Sequence, residues 1–164
     1  MSFPSAREES PGEDTGPGFR LWPPVAIGVP LVLGLLVSGL VGDPFSVSPA
    51  TTWLGWLLVI AFVGWNGWAL LTMARHRTAL LPGGATTSVI ASGPFALSRN
   101  PLYVGLLALS AGLALLAGSL WALVALPLEW ALLRWGAVLP EERYLSAKFG
   151  PAYDDYRSRV RRWL

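Results

Sequence analysis

From Leu102 to Val138 the chain is apolar almost without interruption, and Glu129 and Arg134 are the only charged residues in it. A helix rises ~1.5 Å per residue and the hydrocarbon core of a bilayer is ~30 Å thick, so this stretch is too long for one crossing. Gly118-Ser119 is the natural break, which predicts two membrane helices, 102–118 and 119–138, folded back as a tight hairpin. The first reaches only ~26 Å and is expected to stop short of the far surface. Upstream, residues 21–41 hold no charge and residues 53–73 only Asn66 as a strongly polar side chain, which adds two spans. Pro23 and Pro24 suit the first turn of the first span, and Pro30 is expected to bend it. The fold expected is an all-α integral membrane protein with four transmembrane helices and short cytoplasmic C-terminal helices.

A composition of 53% hydrophobic and 13% charged residues agrees and excludes a soluble globule. Trp22, Trp53, Trp56, Trp121 and Trp135 fall at the ends of apolar runs, where the indole sits at headgroup level, whereas Trp65, Trp68 and Trp130 fall mid-run and read as packing. With no cysteine and one histidine, neither a disulfide framework nor a thiolate or histidine-rich metal site is expected. A net charge of +2 does not point to nucleic acid. The arginines instead mark topology: the 42–52 connection and the 118–119 turn have no Lys or Arg, while the N-terminal tail, the 74–100 loop and the segment after 140 do. Both termini and the central loop are therefore expected in the cytoplasm. Residues 1–20, rich in Pro and Gly with mixed charge, read as a disordered tail, and 21–164 as one membrane domain.

Polar groups inside the spans have an ordinary reading and a functional one. Asn66 is read first as a hydrogen-bonding partner for a neighbouring helix. Arg75-His76-Arg77 reads as a positive-inside anchor, with no catalytic part for His76. Arg134 lies near the inner end of its span and is expected to snorkel. Glu129 is deeper and has three readings: a protonated packing residue, a partner of Asn66, or part of a substrate site. Ala108 and Gly112, four apart, hint at a close helix contact.

Two polar blocks flank this hairpin. In Gly93-Pro94-Phe95-Ala96-Leu97-Ser98-Arg99-Asn100-Pro101-Leu102-Tyr103-Val104-Gly105 a loop carrying Arg99 turns into an apolar helix, with Pro101 in the first turn. In the second, Pro140 fits the start of a new helix whose first turn holds Glu141 and Glu142, and Gly150-Pro151 breaks it. Tyr153, Tyr156 and Val160 share a helical face suited to docking. Arg157, Arg159, Arg161 and Arg162 read as a basic patch for anionic headgroups. Both blocks fall on one side of the four-span arrangement, so they can meet.

Together the blocks resemble the signatures of the isoprenylcysteine carboxyl methyltransferases and their phospholipid methyltransferase relatives, over roughly Thr78 to Leu164. The resemblance implies a fold of membrane helices without a Rossmann domain, S-adenosylmethionine as methyl donor, and a lipid or prenylated acceptor. It implies cofactor contacts at Thr87, Ser88, Val89, Ile90, Phe95, Asn100, Pro101, Leu102, Tyr103 and Glu141, with residues 140–164 covering the cofactor. Asn100 stands at the family's histidine position, which keeps hydrogen bonding and removes a titratable group. Arg99 is a candidate for the cofactor carboxylate, and Tyr103 or Glu142 for removing a proton from an amine acceptor; these three are the catalytic candidates. Arg134 and Glu129 are the substrate-binding candidates. Where the prenylcysteine enzymes carry an arginine for the substrate carboxylate this chain has Ala137, so the acceptor is expected to be a lipid or a membrane-embedded small molecule that need not be a prenylated cysteine.

Two other readings compete. Membrane sterol reductases resemble this family in their C-terminal halves and use NADPH, and the chain is short for that class. The other is a non-catalytic lipid-binding membrane protein with a degenerate site.

Overall fold

The computed structural model describes residues 18–76 and 88–164, and every regular element among them is helical. Most of the expected tail lies outside the described residues. Helix α1 (Pro23–Val41) and helix α2 (Pro49–Arg75) both start on proline. Ser48 and Thr51 cap α2 reciprocally: the Ser48 hydroxyl accepts from the Thr51 N–H at 3.2 Å, and the Thr51 hydroxyl from the Ser48 N–H at 2.8 Å. Helix α3 (Pro101–Ala117) stops at Gly118, whose φ of 64° is the left-handed conformation that ends helices. Ser119 then caps α4 (Leu120–Leu133) by accepting from the Ala122 N–H at 3.0 Å. Beyond α4 follow one wide turn at Arg134–Val138, helix α5 (Leu139–Phe149) and helix α6 (Pro151–Arg159).

Three helical stretches, Pro23–Val41, Pro49–Arg75 and Leu120–Phe149, are long and apolar enough to cross a membrane; Pro101–Ala117 is apolar but shorter. Their outward side chains are apolar, with Leu40 84% and Trp53 76% exposed, the arrangement expected where the surrounding solvent is hydrocarbon. Although a two-residue turn joins α3 to α4, α3 packs mostly on α2 and α4 mostly on α1. Small residues allow this. A β-carbon on Gly112 would lie 2.9 Å from the Gly55 carbonyl of α2, and one on Gly34 of α1 would lie 2.5 Å from the Ala122 Cα of α4. Asn66 does what its ordinary reading predicts, donating through Nδ2 to the Leu102 carbonyl of α3 at 3.3 Å.

Pro140 stands, as expected, in the first turn of α5 with Glu141 and Glu142, but α5 follows α4 through the wide turn without a gap, so the chain stays helical from Leu120 to Phe149. Proline has no N–H to give the Gly136 carbonyl four residues back. The helix absorbs this with the wide turn, in which the Leu139 N–H reaches the Arg134 carbonyl five residues back. The Gly136 carbonyl so released accepts from the N–H groups of Arg20 (2.9 Å) and Leu21 (3.2 Å). Phe19 and Leu21 pack against the core formed by Ala26, Ile27, Tyr103, Leu133, Ala137 and Val138, so the chain is already docked before the expected boundary at residue 21.

At the opposite end of the bundle Asp43 closes the α1–α2 loop over the α3–α4 turn. It accepts from the Leu120 N–H at 2.8 Å, the Ser38 hydroxyl at 2.8 Å and the Phe45 N–H at 2.8 Å, and Ser38 also meets the Ser119 hydroxyl. Desolvation pushes the Asp43 carboxyl up, but these hydrogen bonds outweigh it and hold it below its ordinary value.

Candidate functional site

The other end is built around the loop that enters α3. Gly93 adopts φ 58°, and a β-carbon there would come 2.8 Å from the Thr72 hydroxyl of α2, so the loop lies directly on that helix. The next residues form one tight turn, Gly93–Ala96, with Pro94 buried. The Tyr156 hydroxyl of α6 donates to the Phe95 carbonyl at 2.7 Å, which holds the turn from the other side. Asn100 precedes α3 but does not cap it; its Nδ2 donates instead to the Arg162 carbonyl at 2.8 Å. The Arg99 N–H donates to the Arg161 carbonyl at 2.9 Å.

Glu142 of α5 lies between two guanidinium groups. Arg162 engages it as a fork, Nε to Oε1 at 2.9 Å and Nη2 to Oε2 at 2.8 Å. Arg99 Nη1 is 2.9 Å from the same Oε1, an ionic contact whose angle makes no hydrogen bond. The Arg99 and Glu142 side chains are 8% and 10% exposed, so this pair is little screened by water. Glu142 also holds the Arg162 guanidinium above its ordinary value, against the opposing effect of burial.

In front of this cluster opens a cleft of about 70 Å³, lined by Met73, Ser88, Val89, Ile90, Phe95, Arg99, Glu141, Leu145, Tyr153 and Tyr156. Glu141 sits on its wall and accepts from the Tyr103 hydroxyl at 3.0 Å. Arg99 Nε and the Ser88 hydroxyl are buried without a partner among the described residues. These two donors of cleft-lining residues leave hydrogen-bonding capacity that a water or a bound molecule would take up. Tyr153 and Tyr156 stack at a tilt, with centroids 6.0 Å apart. Burial pushes both phenols up; Glu142 adds to the rise at Tyr153 and the Arg99 guanidinium opposes it.

The structure therefore brings Ser88, Val89, Ile90, Phe95, Arg99 and Glu141 to one cleft; Thr87 lies outside the described residues. Tyr103 reaches the cleft only through Glu141. Asn100, Pro101 and Leu102 do not line it: the Pro101 carbonyl accepts from the Trp65 indole at 2.8 Å, and Leu102 is engaged by Asn66. Glu142 stands behind the wall, with both oxygens occupied. Glu129 is fully buried away from the cleft, accepting from the Ser110 hydroxyl at 2.8 Å and not from Asn66. Arg134 stacks on Trp130, 5.5 Å from the ring centroid.

Met73 is not among the expected site residues, and Leu145, Tyr153, Tyr156 and Arg162 belong to the 140–164 segment expected to cover the cofactor without being expected there individually. The tyrosine stripe was legible as a buried face, but its neighbours were not. The expected basic patch is largely engaged within the chain: Arg162 on Glu142, Arg157 on Asp154 at 3.4 Å and Arg159 on Asp155 at 2.6 Å.

A family model described as phospholipid methyltransferase matches residues 50–152. Over 110 residues the chain is 34% identical to the cobalt-zinc-cadmium resistance protein CzcN of Cupriavidus metallidurans. It is 32% identical over 110 residues to the nickel-cobalt-cadmium resistance protein NccN of Alcaligenes xylosoxydans xylosoxydans. Each match takes in 66% of this chain and 50% of the relative, so the chain spans about half the length of the curated relatives it matches. No solved structure gives a significant match. Among the described residues no three His, Cys, Asp or Glu side chains gather as a metal site.

Proposed function

Since the chain belongs to the phospholipid methyltransferase family, with the match running from α2 into α6, we propose that it is a membrane methyltransferase that uses S-adenosylmethionine and methylates a lipophilic acceptor. The observation that carries this reading is the polarity of the cleft: the unused donors of Arg99 and Ser88, the Glu141 carboxylate, and the aromatic rings of Phe95, Tyr153 and Tyr156 in one volume. These groups fit the cofactor's three chemical parts. Arg99, with Ser88, would take its carboxylate. Glu141 would take its ammonium group or a ribose hydroxyl. Phe95 would pack on the adenine.

When bound, S-adenosylmethionine supplies a methyl group on a sulfonium, which needs alignment and exclusion of water more than a strong base. Val89, Ile90 and Leu145 give the cleft an apolar wall. Tyr103 holds Glu141 in place through its hydroxyl. Glu142 anchors Arg99 and, with both oxygens held by guanidinium groups, is not the proton acceptor. For an amine acceptor that part passes to Glu141, because Tyr103 already donates its hydroxyl proton to that carboxylate and does not line the cleft.

The acceptor we favour is a lipid or membrane small molecule. Ala137 is fully buried, and an unpaired carboxylate beside it would be costly. Arg134, one turn earlier, is stacked on Trp130. We also favour four spans with both termini cytoplasmic, because that arrangement puts the cleft on the side where a charged cosubstrate is dissolved; reporter fusions placing the termini on opposite faces would overturn it.

Titration of the detergent-purified protein with S-adenosylmethionine and, separately, with NADPH tests the function. Binding of S-adenosylmethionine is expected, weakened by ~10-fold or more in Glu141→Gln and Arg99→Ala. Binding of NADPH alone, or folded variants with wild-type affinity, would sink the reading. Transfer of a labelled methyl group to extracted lipids but not to a prenylcysteine analogue is expected, and the reverse would overturn the acceptor assignment.

A further inference from the structure

Arg162 is spaced far from both motif blocks' central residues, yet it touches each of them. Its carbonyl accepts from Asn100 Nδ2 at 2.8 Å and from the Ser98 hydroxyl at 3.4 Å, its neighbour's carbonyl accepts from the Arg99 N–H, and its guanidinium forks onto Glu142. The segment Val160–Leu164 thus lies as a strap across the loop that carries Arg99. Trp163, packed on Trp130 with centroids 6.0 Å apart, anchors the strap to α4.

We propose that Arg162 is a positioning residue: by occupying the Glu142 carboxylate it keeps Arg99 from closing on that carboxylate, and so leaves Arg99 Nε available to the cleft. Arg99 and Arg162 compete for one carboxylate. A carboxylate with a single guanidinium partner favours the two-bond, side-on pairing. In the structure Arg162 makes that pairing, and Arg99 keeps one ionic contact to Glu142, an interaction with Tyr153 and an unpartnered Nε. Without Arg162, Glu142 Oε2 would be unpaired in a buried site, and turning both oxygens toward Arg99 is the available remedy. That pairing would consume the donor directions the ligand needs. The proposal rests on the reading of the cleft as a cofactor site and names a residue that acts through another.

The test is equilibrium titration of the full chain in detergent with S-adenosylmethionine, fitting Kd separately from stoichiometry. In Arg162→Ala the Kd is expected to rise about tenfold or more, with Arg162→Lys intermediate because a lysine keeps the charge and loses the fork. A residue with only a structural role would lower Tm and the fraction of competent molecules while leaving the fitted Kd unchanged. The double variant Glu142→Gln/Arg162→Ala is expected to bind no more weakly than Glu142→Gln alone. Wild-type Kd in folded Arg162→Ala, or a penalty of the same size in the Glu142→Gln background, overturns the proposal. Should wild type not bind S-adenosylmethionine, the functional reading fails, and ligand-free hydrogen exchange decides the strap. Faster exchange at the Arg99 amide in Arg162→Ala or Arg162→Lys supports it, and wild-type exchange there overturns it.

Discussion

The two ends of the helix bundle each hold one carboxylate against the loops that close them, and they use different donors. Asp43 is held by two backbone N–H groups and a hydroxyl, all neutral, and its end closes with the polar groups paired to one another. Glu142 is held by two guanidinium groups, and its end opens into a cleft where donors of Arg99 and Ser88 remain unused. Neutral donors satisfy a carboxylate without bringing further charge out of water, which suits a loop clasp. Charged donors bring excess hydrogen-bonding capacity and a large desolvation cost, and that cost makes sense where a ligand completes the pairing. The difference separates an end closed on its own polar groups from an end that keeps donors unused beside a cleft, where we place the proposed site.

The comparison breaks first at Glu142. Glu142→Ala strands the buried Arg99 guanidinium and the partly exposed Arg162 one and is expected to cost about 3–5 kcal/mol, read as thermal or denaturant unfolding in detergent. A loss below about 1 kcal/mol would mean that water reaches the cluster and that the contrast between the ends is false. Next is Gly118→Ala at the closed end. It forces a side chain into φ 64° and sets a β-carbon 2.5 Å from Val47 Cγ2, for about 1–3 kcal/mol, with ligand binding unchanged.

Acid sharpens the contrast on a smaller scale. Because the Asp43 carboxyl is held below its ordinary 3.8, its contribution to stability is complete above that value and is lost as pH falls through the lowered one. Wild-type Tm should therefore fall more steeply below about pH 4 than that of Asp43→Asn. Equal slopes would show that the clasp does not depend on the charge. The smallest effect is expected for Asp155→Ala, which removes an ion pair with Arg159 whose side chains are 66% and 64% exposed. Its unfolding midpoint should move by no more than about 0.5 kcal/mol allows, which calibrates the loss at Glu142.

Much of the fold was legible because membrane helices announce themselves locally. The charge-free run 21–41, the apolar run carrying Asn66 and the Gly118-Ser119 break each depend on residues adjacent in sequence. The unforeseen continuity of α4 into α5 at Pro140 has the same origin. A proline reads locally as a helix start, and whether the helix continues depends on a distant group accepting the freed Gly136 carbonyl, here the N–H groups of Arg20 and Leu21. In the cleft, the residues of the two motif blocks were legible through resemblance. Met73 and Leu145 were not, because an apolar residue facing a cleft looks the same in sequence as one facing lipid.

By itself the sequence determined which stretches are helical and apolar and where α3 turns into α4, since these follow from composition and spacing along the chain, and it marked the two polar blocks through their resemblance to a known family. Only the tertiary structure decided which of two adjacent glutamates faces the cleft. Glu141 and Glu142 are equivalent in type and in helix position, but one turns toward Tyr103 and the cleft while the other lies between Arg99 and Arg162. Arg162 likewise reads in sequence as one more basic residue among Arg157, Arg159 and Arg161. It becomes part of the site because the strap delivers it to a buried carboxylate, and burial strengthens that pairing beyond what the exposed pairs of its neighbours can reach.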